Sequence, residues 1–253
     1  MRAALALARR GLGTVWPNPS VGCVIVKDGR VVGRGVTQPG GRPHAETEAL
    51  AQAGAAARGA TVYVTLEPCA HHGRTAPCAD ALAQAGVARV VAAMVDPDPR
   101  VAGQGLARLR AAGVTVVEGL LADEAAEVNA GFLTRLAHQR PLVTLKLAST
   151  LDGRIATHTG ESRWITGGAA RAMAHRLRAE ADAVMIGSGT ALIDDPDLTC
   201  RLPGLAHRSP VRVVMDGRMR LPLSRGLVAT AVAGPTWVMC LAGGDGVRVE
   251  AVA

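Results

Sequence analysis

Two short stretches hold residues that could do chemistry together: His44-Ala45-Glu46, and the run Glu67-Pro68-Cys69-Ala70-His71-His72-Gly73-Arg74-Thr75-Ala76-Pro77-Cys78. Between them they offer three imidazoles, two thiols and two carboxylates, of which one imidazole, both thiols and one non-ligating carboxylate concern the metal. A catalytic zinc needs three protein ligands, an open position for water and a base beside it. His44, Cys69 and Cys78 are the candidate ligands. Glu46 lies two residues past His44, too close to be a comfortable fourth ligand from the same turn, and is placed to act on the water as general base. The alternative is a closed structural zinc site, which wants a fourth Cys or His that His71 or His72 could supply.

Such groups need elements to hold them. A continuous apolar strand over residues 61–66 delivers the chain to Glu67-Pro68-Cys69. A helix from about 44 to 57 turns Leu50 and several alanines inward, and another over 79–85 follows Cys78 and ends at Gly86. His44 and Cys78 thus stand at helix starts, where the dipole and free N–H groups favour a thiolate. Upstream, a helix over 1–12 is stopped by Gly11 and Gly13. A rigid turn follows, Trp16-Pro17-Asn18-Pro19-Ser20-Val21-Gly22, and then a hairpin pairs 21–26 with 30–36 across Lys27-Asp28-Gly29. Downstream come a strand at 88–95, the turn Asp96-Pro97-Asp98-Pro99, a helix near 105–112, a strand at 114–118 and a helix at 123–136.

Strands alternating with helices predict a three-layer α/β domain over 1–138. After the polar link His138-Gln139-Arg140-Pro141 the pattern restarts, giving a second α/β domain over 142–253. Its expected parts are a strand at 142–148, a helix at 169–181, a strand at 183–186, the turn Gly187-Ser188-Gly189-Thr190, and strands at 211–215 and 237–241. Another strand, Val247 to Val252, ends the chain. No internal repeat relates the halves.

Composition excludes several classes. With 49% hydrophobic and 19% charged residues, the 253-residue chain buries a real core and is not disordered. No run of about 18 apolar residues and no secretory signal occurs, so a cytoplasmic enzyme is expected, its five cysteines serving as thiols and metal ligands. The net charge of +7 is mostly arginine, scattered along the chain. Stacked bases would want aromatics, and there are only one Tyr, one Phe and three Trp. Arginines gripping a phosphorylated small molecule serve equally well, so the charge alone favours neither partner.

The order of residues is more specific. Pro-Cys-x-His-x-Gly-x-Thr-x-Pro-Cys after His-Ala-Glu, with eight residues between the cysteines where nucleobase deaminases usually have two, resembles the deaminase half of the bifunctional riboflavin-biosynthesis deaminase/reductases. That resemblance implies a cytidine-deaminase-like fold, with Pro17-Asn18-Pro19 lining the pocket and Asn18 reading a pyrimidine edge. His71 and Arg74 would face the ribose phosphate. From residue 142 on, Lys146-Leu147-Ala148-Ser149-Thr150-Leu151-Asp152-Gly153-Arg154, Gly160-Glu161-Ser162-Arg163-Trp164-Ile165-Thr166 and Asp194-Asp195-Pro196-Asp197-Leu198-Thr199-Cys200-Arg201 resemble the family's reductase, a dihydrofolate-reductase-like fold. Ala148, Trp164, Thr190 and Asp194 would then face NADPH, and Ser162, Arg178, Leu198 and Arg201 the substrate phosphate side. Two arginines suit a phosphate, and Gly-Ser-Gly-Thr after a strand is a backbone cradle at a helix start.

The implied activity is zinc-dependent deamination of a diaminopyrimidinone ribosylamine phosphate, then NADPH-dependent reduction of the ribosyl group to ribityl. The implied partners are this small molecule and further copies of the chain, with no nucleic acid and no membrane. The rivals are a tRNA or polynucleotide deaminase and a non-catalytic zinc scaffold. Because the family's reductase domain continues past the point reached by Ala253, the resemblance also predicts an incomplete second domain, and hence deamination with little or no reduction.

Overall fold

The computed structural model describes residues 1–71, 76–99 and 101–242. The chain divides into two units, Met1–Thr144 and Leu145–Ala253.

The first unit is built on a five-stranded sheet in the order β2-β1-β3-β4-β5. After α1 (Arg2–Arg9), the hairpin forms as expected, β1 (Gly22–Lys27) running antiparallel to β2 (Arg30–Val36). Helix α2 (Ala45–Ala53) continues as a 3-10 turn, Gly54–Ala57, and leads into β3 (Thr61–Val64). Helix α3 (Cys78–Gln84), β4 (Arg89–Ala92), α4 (Gln104–Ala111) and β5 (Thr115–Glu118) follow. Strand β3 is antiparallel to β1 and parallel to β4, which is parallel to β5. Alternation puts Cys23, Ile25, Val62, Val64 and Val90 into a main core with Ala45, Ala49, Leu82, Leu106 and Leu109. A smaller core on Leu5, Ala8, Ala93, Ala125 and Val128 completes the third layer. Leu50 packs against this core as expected, half-buried at the edge of the fully inward stripe of Ala45, Ala49 and Ala53.

The helix expected over 123–136 is two, α5 (Ala122–Val128) and α6 (Ala130–His138). The break falls at Asn129, whose buried amide pairs with the backbone of Ser20 on both sides: Oδ1 accepts from Ser20 N–H at 2.8 Å and Nδ2 donates to Ser20 C=O at 3.1 Å. A side chain used in this way competes with regular helix.

In the second unit, α7 (Gly168–Glu180) precedes β6 (Ala183–Gly187), α8 (Ser188–Asp194), β7 (Val211–Met215), α9 (Gly226–Ala229) and β8 (Thr236–Met239). The three strands form an all-parallel sheet, β6-β7-β8, over a core of Ala191, Leu198, Val214, Leu221 and Leu227. Two expectations fail here. Residues 142–148 form no strand: Leu145 and Leu147 are exposed, and an apolar run becomes a strand only with a ladder to join. Gly187-Ser188-Gly189-Thr190 is not a free turn, since Ser188 already begins α8. The expected last strand, Val247 to Val252, lies outside the described residues. Among those residues no helix is long and apolar enough to cross a membrane.

Candidate active site

Helix α2 lies backbone-to-backbone on β2. A Cβ on Gly35 would sit 1.9 Å from the Ala45 carbonyl oxygen, and one on Gly33 2.2 Å from that of Ala49, so the close approach requires glycine. This contact carries the start of α2 onto the sheet: His44 is its extended N-cap, and Glu46 in its first turn is only 4% exposed. From the other side, β3 leads through Glu67-Pro68 to Cys69, and Cys78 opens α3 after its N-cap Pro77.

The three donor atoms of His44, Cys69 and Cys78 lie within 4.8 Å of one another. His44 Nδ1 stands 3.7 Å from Cys69 Sγ and 3.4 Å from Cys78 Sγ, and the Cys78 backbone N–H donates to Cys69 Sγ at 3.3 Å. Bonds of about 2.3 Å to sulfur and about 2.0 Å to nitrogen at tetrahedral angles put such donors roughly 3.5–3.8 Å apart. The donor set therefore fits zinc in both spacing and chemistry. His71 is outside this cluster, and His72 lies outside the described residues.

The electrostatics match a site made for a cation. The hydrogen bond from Cys78, opposed by burial and helped by His44, holds the Cys69 thiol down at about 4. Cys78 is raised because its proton is shared with Cys69, and by burial, so the pair gives up one proton readily and the second only to a cation. The Glu46 carboxyl is pushed up to about 7, first by burial and then by the Cys69 charge. Cys23, buried beneath, is held as a neutral thiol by burial and by Glu46.

Asn18 stands on the loop before β1, its Nδ2 donating to the Gly41 carbonyl at 2.8 Å. Gly41 has φ +84°, and a Cβ there would strike the Asn18 amide, so glycine is needed to seat that side chain. Among the described residues the buried Nδ1 of His71 has no hydrogen-bond partner, and such an atom suits a polar ligand group. Arg74 lies outside the described residues.

In the second unit Arg178 Nη1 donates to the Thr199 carbonyl at 3.1 Å, and the Arg201 backbone N–H donates to His175 Nδ1 at 3.2 Å. Two guanidinium-bearing residues thus meet around one imidazole; burial and then Arg201 lower the Arg178 pKa, and burial and then both arginines lower that of His175. Leu198 is buried beside them at φ +57°, an unusual backbone for leucine. Ser162 is exposed, and Trp164 is exposed with the Arg171 guanidinium 4.7 Å above its ring. Thr190 and Asp194 lie on α8, which leaves the C-terminal end of β6, whereas half-buried Ala148 is on irregular chain. A Cβ on Gly187 or Gly189 would meet nothing, so the backbone at this strand–helix junction is open to a ligand.

Residues 1–94 match the family model described as the cytidine and deoxycytidylate deaminase zinc-binding region, and residues 141–252 match the RibD C-terminal domain. The riboflavin biosynthesis protein RibD of Escherichia coli (strain K12) is 51% identical over 248 residues, covering 94% of this chain and 67% of that protein. The chain belongs to the RibD family. The RibD of Aquifex aeolicus is 48% identical with the same coverage, so the chain spans about two thirds of the length of these relatives. Its structure is similar to that of the Thermotoga maritima diaminohydroxyphosphoribosylaminopyrimidine deaminase/5-amino-6-(5-phosphoribosylamino)uracil reductase, with TM-score 0.89, 41% identity, and 98% of this chain and 71% of that one covered. It is equally similar to Acinetobacter baumannii RibD, with TM-score 0.87, 46% identity and coverages of 98% and 70%.

Several residues of this RibD-family site escape motif reading. Gly41, Asn129, His175 and Glu67 touch candidate site residues, or the chain next to them, only through the fold. The one local signal is Asn129, a poor helix former set in an alanine-rich helical stretch.

Proposed function

We propose that this chain performs two successive steps of riboflavin biosynthesis, deaminating a diaminopyrimidinone ribosylamine phosphate in residues 1–138 and reducing the resulting ribosylamino-uracil phosphate in residues 142–253. The observation that carries the reading is the cluster of His44, Cys69 and Cys78 with buried Glu46 beside it, in a chain of the RibD family. His44, Cys69 and Cys78 would hold the zinc. Zinc held there supplies Lewis acidity, which makes water nucleophilic near neutral pH. Glu46 takes one proton of that water and gives it to the ring nitrogen, then takes the second from the added hydroxyl and gives it to the leaving amine, which departs as ammonia; its burial raises its pKa, as suits a group that must be protonated in turn. Asn18, oriented by Gly41, reads the pyrimidine edge with donor and acceptor together. His71 and Arg74 face the ribose phosphate.

For the second step, Ala148, Trp164, Thr190 and Asp194 face NADPH, which supplies the hydride. The open strand–helix junction at Gly187–Gly189, at the C-terminal end of a parallel strand, is where such sheets accept ligands. Ser162, Arg178, Leu198 and Arg201 hold the phosphorylated substrate, the two arginines neutralising its phosphate.

The same reading makes the protein a cytoplasmic homo-oligomer that binds no nucleic acid. Five free cysteines support a reducing compartment, and exposed Leu145, Leu147, Leu151 and Ile155 support cover by a second copy. The test is ammonia release from the diamino compound, beside NADPH oxidation with the deaminated uracil. Protein carrying one zinc per chain yet releasing no ammonia would refute the deaminase assignment. RNA binding that falls steeply with salt would favour a polynucleotide deaminase instead.

A further inference from the structure

Glu67 precedes the Pro-Cys pair, and no step of the deamination uses it. Its carboxylate is buried, 4% exposed, yet carries no ion pair among the described residues. Four backbone N–H groups converge on it. Those of Gly105 and Leu106 donate to Oε1 at 2.8 and 3.2 Å, and those of Gly103 and Asp96 to Oε2 at 2.9 and 3.1 Å. Three of the four belong to the N-terminus of α4, whose own N-cap, Gly103, has no side chain to offer. The cap comes instead from a residue 38 positions upstream of Gly105.

The arrangement grips the segment from two directions. The Glu67 backbone N–H donates to the Met94 carbonyl at 3.0 Å, tying the main chain to the sheet. Just beyond, the Pro68 carbonyl lies so close to Gly105 that a Cβ there would fall 1.9 Å from its oxygen. Pro68 itself has a locked φ. Cys69 comes next, its carbonyl accepting the Ala79 N–H at 3.2 Å and its sulfur the Cys78 N–H at 3.3 Å. The position of one sulfur is therefore set by an arm whose base is fastened to α4.

We propose that Glu67 is a positioning residue for the metal centre, holding Cys69 at bonding distance by docking the Glu67-Pro68-Cys69 arm onto the N-terminus of α4. This rests on the reading of Cys69 as a zinc ligand. Glu67→Gln keeps the size of the side chain but replaces one acceptor oxygen with an NH₂ that faces donor N–H groups. Gly105→Ala keeps the carboxylate in the sequence but pushes on the Pro68 carbonyl, 1.9 Å from the added Cβ, and on Glu67 Oε1, 3.2 Å from it, so it loosens the same docked arm.

The experiment loads the purified 253-residue chain with Co²⁺ and records the thiolate-to-metal charge-transfer band, then measures Zn²⁺ affinity by competition with a chelator, well below each variant's Tm. Leu5→Ala, a loss in the second core, shows what plain destabilisation does. Glu67→Gln and Gly105→Ala are expected to shift the band and weaken metal binding about 10–100-fold, while Leu5→Ala shifts neither. If Glu67→Gln does not fold, Gly105→Ala decides alone. A band and affinity unchanged from the parent protein, whatever the Tm, overturn the proposal. A parent protein giving no charge-transfer band removes the zinc reading itself.

Discussion

The two units bury their candidate groups to different degrees, although both tie some of them to partners tens of residues away. In the first, Glu46, Cys78 and Glu67 are each no more than 4% exposed, and hydrogen bonds spanning tens of residues fix the chain around them. In the second, Trp164 is 71% exposed and Arg201 donates to Asp197, four residues away, on the surface. The contrast follows the chemistry. A carboxyl that must exchange protons near neutrality needs burial to raise its pKa, and burial demands a frame that satisfies every neighbouring polar group. Guanidiniums proposed to grip a phosphate would keep their charge at any working pH and need less burial.

The sharpest way to break this contrast is to remove a metal ligand. Cys69→Ser or Cys78→Ser is expected to take zinc content from about one per chain to near zero and to abolish deamination; elemental analysis checks it, and full occupancy in both variants would end the ligand assignment. Next in size, Glu46→Gln should retain zinc while ammonia release falls about 10²–10⁴-fold, the usual share of a general acid–base group. Parallel loss of metal would make Glu46 a ligand. On the exposed side the effects should be smaller: Arg178→Ala or Arg201→Ala should weaken binding of the phosphorylated uracil about 10–100-fold, as expected for a charge-assisted hydrogen bond of ~1.5–3 kcal/mol. Calorimetric titration of that ligand reads this, and deamination should not change. The smallest is Asn129→Ala, which leaves the Ser20 N–H and C=O unpaired, costing about 1–3 kcal/mol of stability. A thermal melt checks it, and an unchanged Tm would mean that water replaces the amide.

The same contrast explains what could be read from the chain in advance. The candidate zinc donors sit in two contiguous blocks because His44 and Cys78 use helix starts and Cys69 the short loop that follows β3, all local signals. The hairpin at Lys27-Asp28-Gly29 and the parallel strands β4, β5 and β7 were legible for the same reason. The apolar run at 142–148 was misleading, since hydrophobicity states a wish for burial and says nothing about a ladder partner. Glu67 and His175 were silent, and Asn129 nearly so, because their partners are far away in sequence, and a carboxylate that caps a distant helix looks like any other glutamate.

The pairing of Asn129 with Ser20 also sets an order in time. It joins positions 109 residues apart, so the loop that carries Asn18, which can already reach Gly41 and Ala8, lacks its clamp on the Ser20 backbone until the ribosome has passed Asn129. At about 5–20 residues per second, that separation is a wait of roughly 5–20 s, during which His44, Cys69 and Cys78 have already been made. A nascent chain arrested before Asn129 is thus expected to offer its thiols to metal with the Asn18 loop held by Gly41 and Ala8 alone, and so cut faster by protease. Release past that point should close the loop, and limited proteolysis of staged ribosome-bound chains would follow the change.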